Sequence, residues 1–170
     1  NKAEKVLDIK YNEEQKEAIS KSLINNISVI TGGPGTGKTT IIKGIIKTYS
    51  LIYKVSENGV KDHVLLLAPT GRAAKRMSES TGYQASTIHR FLKWDKENNV
   101  FNINELNSVH YNLIIVDESS MIDNHLMASL LRGLDIFNTQ IVLVGDEYQL
   151  PSVGPGLVLN DIINTNIPHI

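Results

Sequence analysis

The chain has no cysteine, which excludes disulfides and thiol chemistry and leaves the redox compartment unspecified. It has no excess of charge of either sign. Its 17 Lys and Arg stand against 18 Asp and Glu, a formal net charge of −1, so contact with nucleic acid has to come from a local basic patch. No apolar run approaches the roughly 18 residues that a membrane helix requires. The charged start Asn1-Lys2-Ala3-Glu4-Lys5 is followed by no apolar segment of the kind a signal peptide carries. No membrane partner is expected, and the expected compartment is cytoplasmic. The missing initiator methionine reads as the mark of an excised segment. Repeats, low-complexity tracts and internal linkers are absent as well. The 170 residues are therefore expected to form one domain, large enough to bury a core without disulfides or metal.

What is present is an alternation of two kinds of segment. Apolar runs rich in β-branched residues recur at Ile27 to Ile30, Val64 to Ala68, Leu113 to Val116 and Ile141 to Val144, and stretches of helical character separate them. That alternation predicts an α/β fold, a mainly parallel sheet with helices on its faces. Asn12 and Gln15 have capping-box spacing ahead of an amphipathic segment that carries Ala18, Ile19, Leu23 and Ile24. Further helices are expected from Gly71 to about Glu79, Thr87 to Leu92, Asp123 to about Leu134 and Gly156 to Ile163. Phe91 to Trp94 and Val100 to Ile103, joined by Asp95 to Asn99, read as a small inserted β-hairpin. Tyr53 to Asp62 reads as an exposed polar loop.

Directly after the first strand, Gly32-Gly33-Pro34-Gly35-Thr36-Gly37-Lys38-Thr39-Thr40 completes the pattern G-x-x-x-x-G-K-[ST] in a strand-loop-helix setting. Its glycines let backbone N–H groups converge on phosphates, and the following helix adds its positive end. Lys38 can reach the β- and γ-phosphates of a nucleoside triphosphate, and the Thr39 hydroxyl can ligate Mg²⁺. ATP and Mg²⁺ are the expected ligands.

Leu113-Ile114-Ile115-Val116 runs into Asp117-Glu118, two acids at the end of a buried strand, where open α/β sheets bind ligands. Asp117 is expected to hold Mg²⁺ and Glu118 to orient and deprotonate the attacking water. Together with Lys38 and Thr39 upstream, this functional reading outweighs a purely structural Asp-Glu pair. After the next strand, Gln149 either senses the γ-phosphate or closes an Asx-type turn with Asp146 before Pro151. Pro69-Thr70-Gly71-Arg72 and Lys75-Arg76 combine hydroxyl, helix-start N–H and basic groups that suit a nucleic-acid phosphate, or else form a solvated helix face. Ser86 to Arg90 offers similar groups, and His89 there is either a contact or a satisfied structural residue. Trp94, the single tryptophan, is a stacking platform for a base or part of the hairpin packing.

In this order the motifs resemble those of the first RecA-like motor domain of superfamily 1 helicases, most closely the RecD-like branch typified by the exodeoxyribonuclease V α subunit. Asn12 to Lys16 is similar to the family's Q motif, Gly32 to Thr40 to motif I and Ala68 to Met77 to motif Ia. Ser86 to Leu92 is similar to the next DNA-contacting motif, and Val116 to Met121 and Leu143 to Gly156 to motifs II and III. The resemblance covers nearly the whole chain and implies a three-layer RecA-like P-loop fold. It implies that Gln15 reads the adenine edge, that Pro69, Thr70, Gly71 and Arg72 grip single-stranded DNA, and that Thr87 and His89 touch it further along. It also implies ATP-driven translocation and unwinding with 5′ to 3′ polarity, or nucleotide-dependent single-strand binding within a repair nuclease complex. In that family a second RecA-like domain supplies arginines to the γ-phosphate. Residues 1–170 are expected to be the N-terminal ATPase domain alone, binding nucleotide better than they hydrolyse it.

Overall fold

The longer strands of the central sheet are short runs that are largely apolar on both sides, and the reason is visible in where alternate residues go. The structure, a computed structural model, describes residues 2–32 and 37–146. In chain order the elements are α1 (Lys2–Leu7), α2 (Glu13–Ile24), β1 (Ile27–Thr31), α3 (Lys38–Ile52), α4 (Val60–His63), β2 (Val64–Ala68) and α5 (Gly71–Thr81). They continue as β3 (Ser86–Thr87), α6 (Ile88–Phe91), β4 (Trp94–Asp95), β5 (Val100–Phe101), β6 (Leu113–Val116), α7 (Asn124–Gly133) and β7 (Gln140–Gly145). Five strands form one parallel sheet in the order β1-β7-β6-β2-β3. Ile30, Leu66, Ile115, Val142 and Val144 join one core with Ile41, Ile42, Ile45 and Ile46 of α3 and Met77 of α5. Their neighbours Val29, Leu67, Ile114, Val116 and Leu143 join a second core with Ile88, Leu92, Met127 and Leu130. A pleated strand sends successive side chains to opposite faces, so helices on both faces make an α/β/α sandwich of three layers.

The helix starts follow local chemistry. Asn12 Oδ1 accepts from the Gln15 N–H at 2.8 Å, and Gln15 Oε1 accepts from the Asn12 N–H at 3.1 Å, the reciprocal capping box. Thr70, Thr87 and Asp123 cap α5, α6 and α7 with side-chain oxygens on the N–H groups of Ala73, Arg90 and Leu126. Where α2 crosses α3, a Cβ on Gly44 would meet Ile19 Cδ1 at 2.4 Å and the Tyr11 hydroxyl at 2.9 Å, so a side chain there would have to displace both.

Three segments differ from the sequence expectation. Ser86–Thr87 is a fifth strand paired with Leu67 and Ala68 rather than the start of a helix, which begins one residue later at Ile88. Two residues are too few for any periodicity to show. Tyr53 to Asp62 is partly ordered: Glu57–Gly59 forms a 3₁₀ turn, and Val60 is 1% exposed in the α3-side core. Glu57 is held there by the Lys47 ammonium and by the Tyr83 hydroxyl, which donates to Oε2 at 2.6 Å. The Lys47 contact and then that hydroxyl hold the Glu57 carboxyl below its usual range, while burial and then Glu57 push the Tyr83 phenol up. Finally, α1 precedes the capping-box helix and packs against α3. The inserted hairpin is present as β4 and β5, extended by Asn102 N–H on Lys93 O and Ile103 N–H on Leu92 O. The expected helix from Gly156 to Ile163 lies outside the described residues.

Candidate functional site

The sheet order decides what can meet. β7 lies between β1 and β6, with Thr31 opposite Gly145 and Val116 opposite Leu143, so the carboxyl ends of three strands open side by side. The start of α3, the acids after β6 and Asp146 after β7 therefore face one crevice, as expected at the carboxyl edge of an open α/β sheet. A cleft of about 500 Å³ is found there. It is lined by Lys38 and Thr39 at the start of α3, Asp117 and Glu118 after β6, Gly145 and Asp146 after β7, and Arg76 and Met77 among others on α5.

Lys38 opens α3, and its Nζ donates to the Gly32 carbonyl at 2.9 Å, so the ammonium folds back towards the end of β1. Gly37 sits at φ +81°, a left-handed conformation that a side chain would strain. A Cβ there would also come within 2.7 Å of Gln15 Nε2. The capping box thus does a second thing: with Oε1 held by the Asn12 N–H, the Gln15 amide is fixed against the phosphate-binding loop. Thr39 is exposed and Thr40 half-buried in the first turn of α3. Gly33, Pro34, Gly35, Thr36 and Gln149 lie outside the described residues.

Asp117 is tied to the sheet edge by its N–H on Leu67 O at 2.9 Å, and its Oδ1 accepts from the Glu118 N–H at 2.8 Å. Glu118 itself adopts φ 54°, ψ 36°, a left-handed conformation in a residue with a side chain. Such strain costs about 1–3 kcal/mol and persists where the surroundings enforce it. Here the next residue helps, because the buried Ser119 hydroxyl donates to Val116 O at 2.8 Å. Burial pushes the Asp117 carboxyl above its ordinary range, opposed by the Glu118 N–H; the Glu118 charge raises it further, and Lys38 and Arg76 pull it down. Asp146 is 3% exposed at the floor of the same cleft.

This arrangement has a cost to the fold that can be measured. With its folded-state carboxyl raised above the unfolded value, Asp117 contributes fully to stability below the ordinary carboxylate range and loses that contribution as pH rises through the folded value. Asp117→Asn keeps an acceptor for the Glu118 N–H and removes the buried charge. The variant is expected to melt above the native chain at neutral pH, with the gap closing in acid. Thermal melts at both pH values check this; an equal gap at both would locate the effect elsewhere than in the charge.

The donor set suits a hard cation. Thr39 Oγ1 and the Asp117 carboxylate are oxygen donors on the same cleft, the type that Mg²⁺ takes together with water and phosphate. Among the described residues no three His, Cys, Asp or Glu side chains group as a self-sufficient metal cage.

The expected DNA-contacting residues follow the carboxyl ends of β2 and β3, further along the same edge of the sheet and outside the cleft lining, which α5 reaches through Ala73, Arg76 and Met77. Pro69, Thr70, Gly71 and Arg72 form the entry to α5, with Gly71 and Arg72 exposed and the Thr70 hydroxyl engaged on Ala73 N–H. Thr87 likewise spends its hydroxyl on the α6 cap. His89 is exposed, its ring 5.6 Å from Phe101 and edge-on to Trp94 at 6.2 Å, and Trp94 packs on Phe101 at 4.7 Å. Of the two readings of Trp94, hairpin packing is the one these contacts realise. Arg76 departs from its basic neighbours by lining the nucleotide-side cleft. The signal was in the spacing: Ala73, Arg76, Met77 and Ser80 fall at i, i+3, i+4 and i+7, one face of α5.

Fold and site together define a P-loop nucleoside-triphosphate-binding domain. A family model described as an AAA domain matches residues 15–155. The chain is 41% identical over 147 residues to the ATP-dependent RecD2 DNA helicase of Deinococcus radiodurans, covering 86% of this chain and 19% of that protein. It is 34% identical over 169 residues to the RecBCD enzyme subunit RecD of Haemophilus influenzae, covering 87% of this chain and 26% of that subunit. The Pif1 helicase of Candida albicans superposes with a TM-score of 0.57 at 26% identity, over 86% of this chain and 35% of the helicase. The chain therefore belongs to the AAA-domain family, in the RecD-like branch of superfamily 1 helicases. It spans about a fifth to a quarter of the length of the two curated relatives.

Proposed function

We propose that this chain is the ATP-binding motor domain of a RecD-like DNA helicase, in which ATP hydrolysis drives movement along single-stranded DNA and unwinding of the duplex. The observation that carries the proposal is the meeting of Lys38, Thr39, Asp117 and Glu118 in one cleft. In this reading the loop through Gly33, Pro34, Gly35, Thr36 and Gly37 cradles the phosphates, Lys38 neutralises them, and Gln15 meets the base. Thr39 and Asp117 hold Mg²⁺, which when bound offsets charge on the phosphate oxygens. Glu118 takes the proton of the attacking water, and Gln149 senses the terminal phosphate. A second RecA-like domain closes over the cleft and completes the DNA track, so residues 1–170 alone turn over slowly and do not unwind DNA. The similarity to a RecBCD subunit favours a second reading, in which the same site gates single-strand binding inside a larger repair nuclease.

Single-stranded DNA is proposed to run along the α5 entry. Arg72→Ala is the clean test, since Thr70→Ala would also remove a cap worth about 1 kcal/mol to the helix. The variant is expected to bind a labelled oligonucleotide more weakly, with the slope of log affinity against log salt reduced by about 0.7, the value for one single-strand phosphate contact. Nucleotide affinity should be unchanged. Fluorescence anisotropy at several salt concentrations decides it, and an unaltered slope would move the DNA track off α5.

A further inference from the structure

α5 carries two kinds of arginine. Arg72 sits in its first turn beside the proposed DNA edge, and Arg76, one turn on, lines the cleft that holds Lys38, Thr39, Asp117 and Glu118. The helix face turned to that cleft is set by packing: Ala73 and Met77 are buried against the sheet, and Arg76 and Ser80 flank them at helical spacing. Lys75, between the two arginines in sequence, does not line the cleft; it lies 3.9 Å from Glu79, the one α5 carboxylate that does. Among the described residues no carboxylate comes within ion-pairing distance of Arg76. Its five guanidinium donors are thus available on the cleft wall formed by α5, whereas Lys38 enters from α3. A guanidinium matches the oxygens of a phosphate two at a time, which an ammonium cannot do.

We propose that Arg76 is a phosphate ligand supplied by this domain itself: it meets the terminal phosphate of a bound nucleoside triphosphate from the α5 side. The assignment rests on the reading of the cleft as the ATP site. It gives α5 two anionic contacts about 6 Å apart along its axis, a nucleotide phosphate at Arg76 and the proposed nucleic-acid phosphate at Arg72. A rigid helix that holds both is a direct mechanical link between the two ligands. It also supplies the triphosphate with a cation before any arginine arrives from a second domain.

The test is the preference of the chain for ATP over ADP, titrated with fluorescent analogues of both in Mg²⁺. Arg76→Ala is expected to lose about tenfold or more in ATP affinity, the scale of one charge-assisted contact, and much less in ADP affinity. Arg76→Lys should recover part of the loss, and Lys61→Ala, at an exposed position of α4, should match the native chain. Arg76→Gln, which keeps a polar side chain of intermediate length without the charge, repeats the measurement should the alanine variant fold poorly. An unchanged ATP-to-ADP ratio in either folded variant overturns the assignment while leaving the ATP site standing. Should the native chain bind neither nucleotide, the reading of the cleft falls and takes Arg76 with it.

Discussion

Lys38→Ala is expected to weaken ATP binding by about 10- to 100-fold without unfolding the chain. The lysine opens α3 and its ammonium donates to the Gly32 carbonyl, 2.9 Å away. No apolar core depends on it: the buried face of α3 is made by Ile41, Ile42, Ile45, Ile46 and Tyr49. Removing the side chain therefore takes away a cation aimed at the β- and γ-phosphates and little else. A charge-assisted contact of this kind contributes roughly 1.5–3 kcal/mol, which sets the size of the effect. Titration with a fluorescent ATP analogue measures it. Native affinity in a folded Lys38→Ala chain would show that the loop is not the binding site.

Glu118→Gln is expected to separate binding from turnover. The amide keeps the length and shape of the side chain and leaves the Asp117–Glu118 backbone hydrogen bond in place, so nucleotide affinity should stay near native. It cannot accept the proton of the attacking water, and the loss of a general base typically costs about 10²–10⁴ in rate. The strained backbone makes the position informative. A residue held at φ 54° by its neighbours has a fixed point of departure for its side chain, and Gln fits the same turn. ATP hydrolysis with saturating single-stranded DNA is the assay. A native rate would transfer the role to Asp117 or Asp146, carboxylates at the ends of β6 and β7 on the same cleft.

What was legible in the sequence is what local chemistry dictates. The phosphate-binding motif, the acids after a buried strand and the capping box at Asn12 each depend on groups a few residues apart, and the two hydrogen bonds of that box are the ones the spacing implies. The strands were legible because both faces of a parallel sheet are covered, which leaves continuous apolar runs. Contacts between distant segments were not. Nothing near Glu57 announces that Lys47 and Tyr83 will close on it, and nothing in Ser86–Thr87 announces a partner strand at Leu67–Ala68. Arg76 was misgrouped for a related reason: read as part of a basic run it looks like its neighbours, and only its angular position on α5 assigns it to the nucleotide side. The left-handed turn at Glu118 has no sequence signal at all, because glycine, the usual marker, is absent there.

The central claim is that nucleotide binds between the start of α3 and the end of β6. It is tested most directly by following backbone amide resonances of the isotope-labelled chain during titration with ADP and Mg²⁺. The account predicts one binding event, with the largest shifts at Gly37, Lys38, Thr39, Asp117 and Glu118 and little change at the hairpin. Shifts centred instead on the groove lined by Trp94, Phe101, His125 and Arg132 would contradict it.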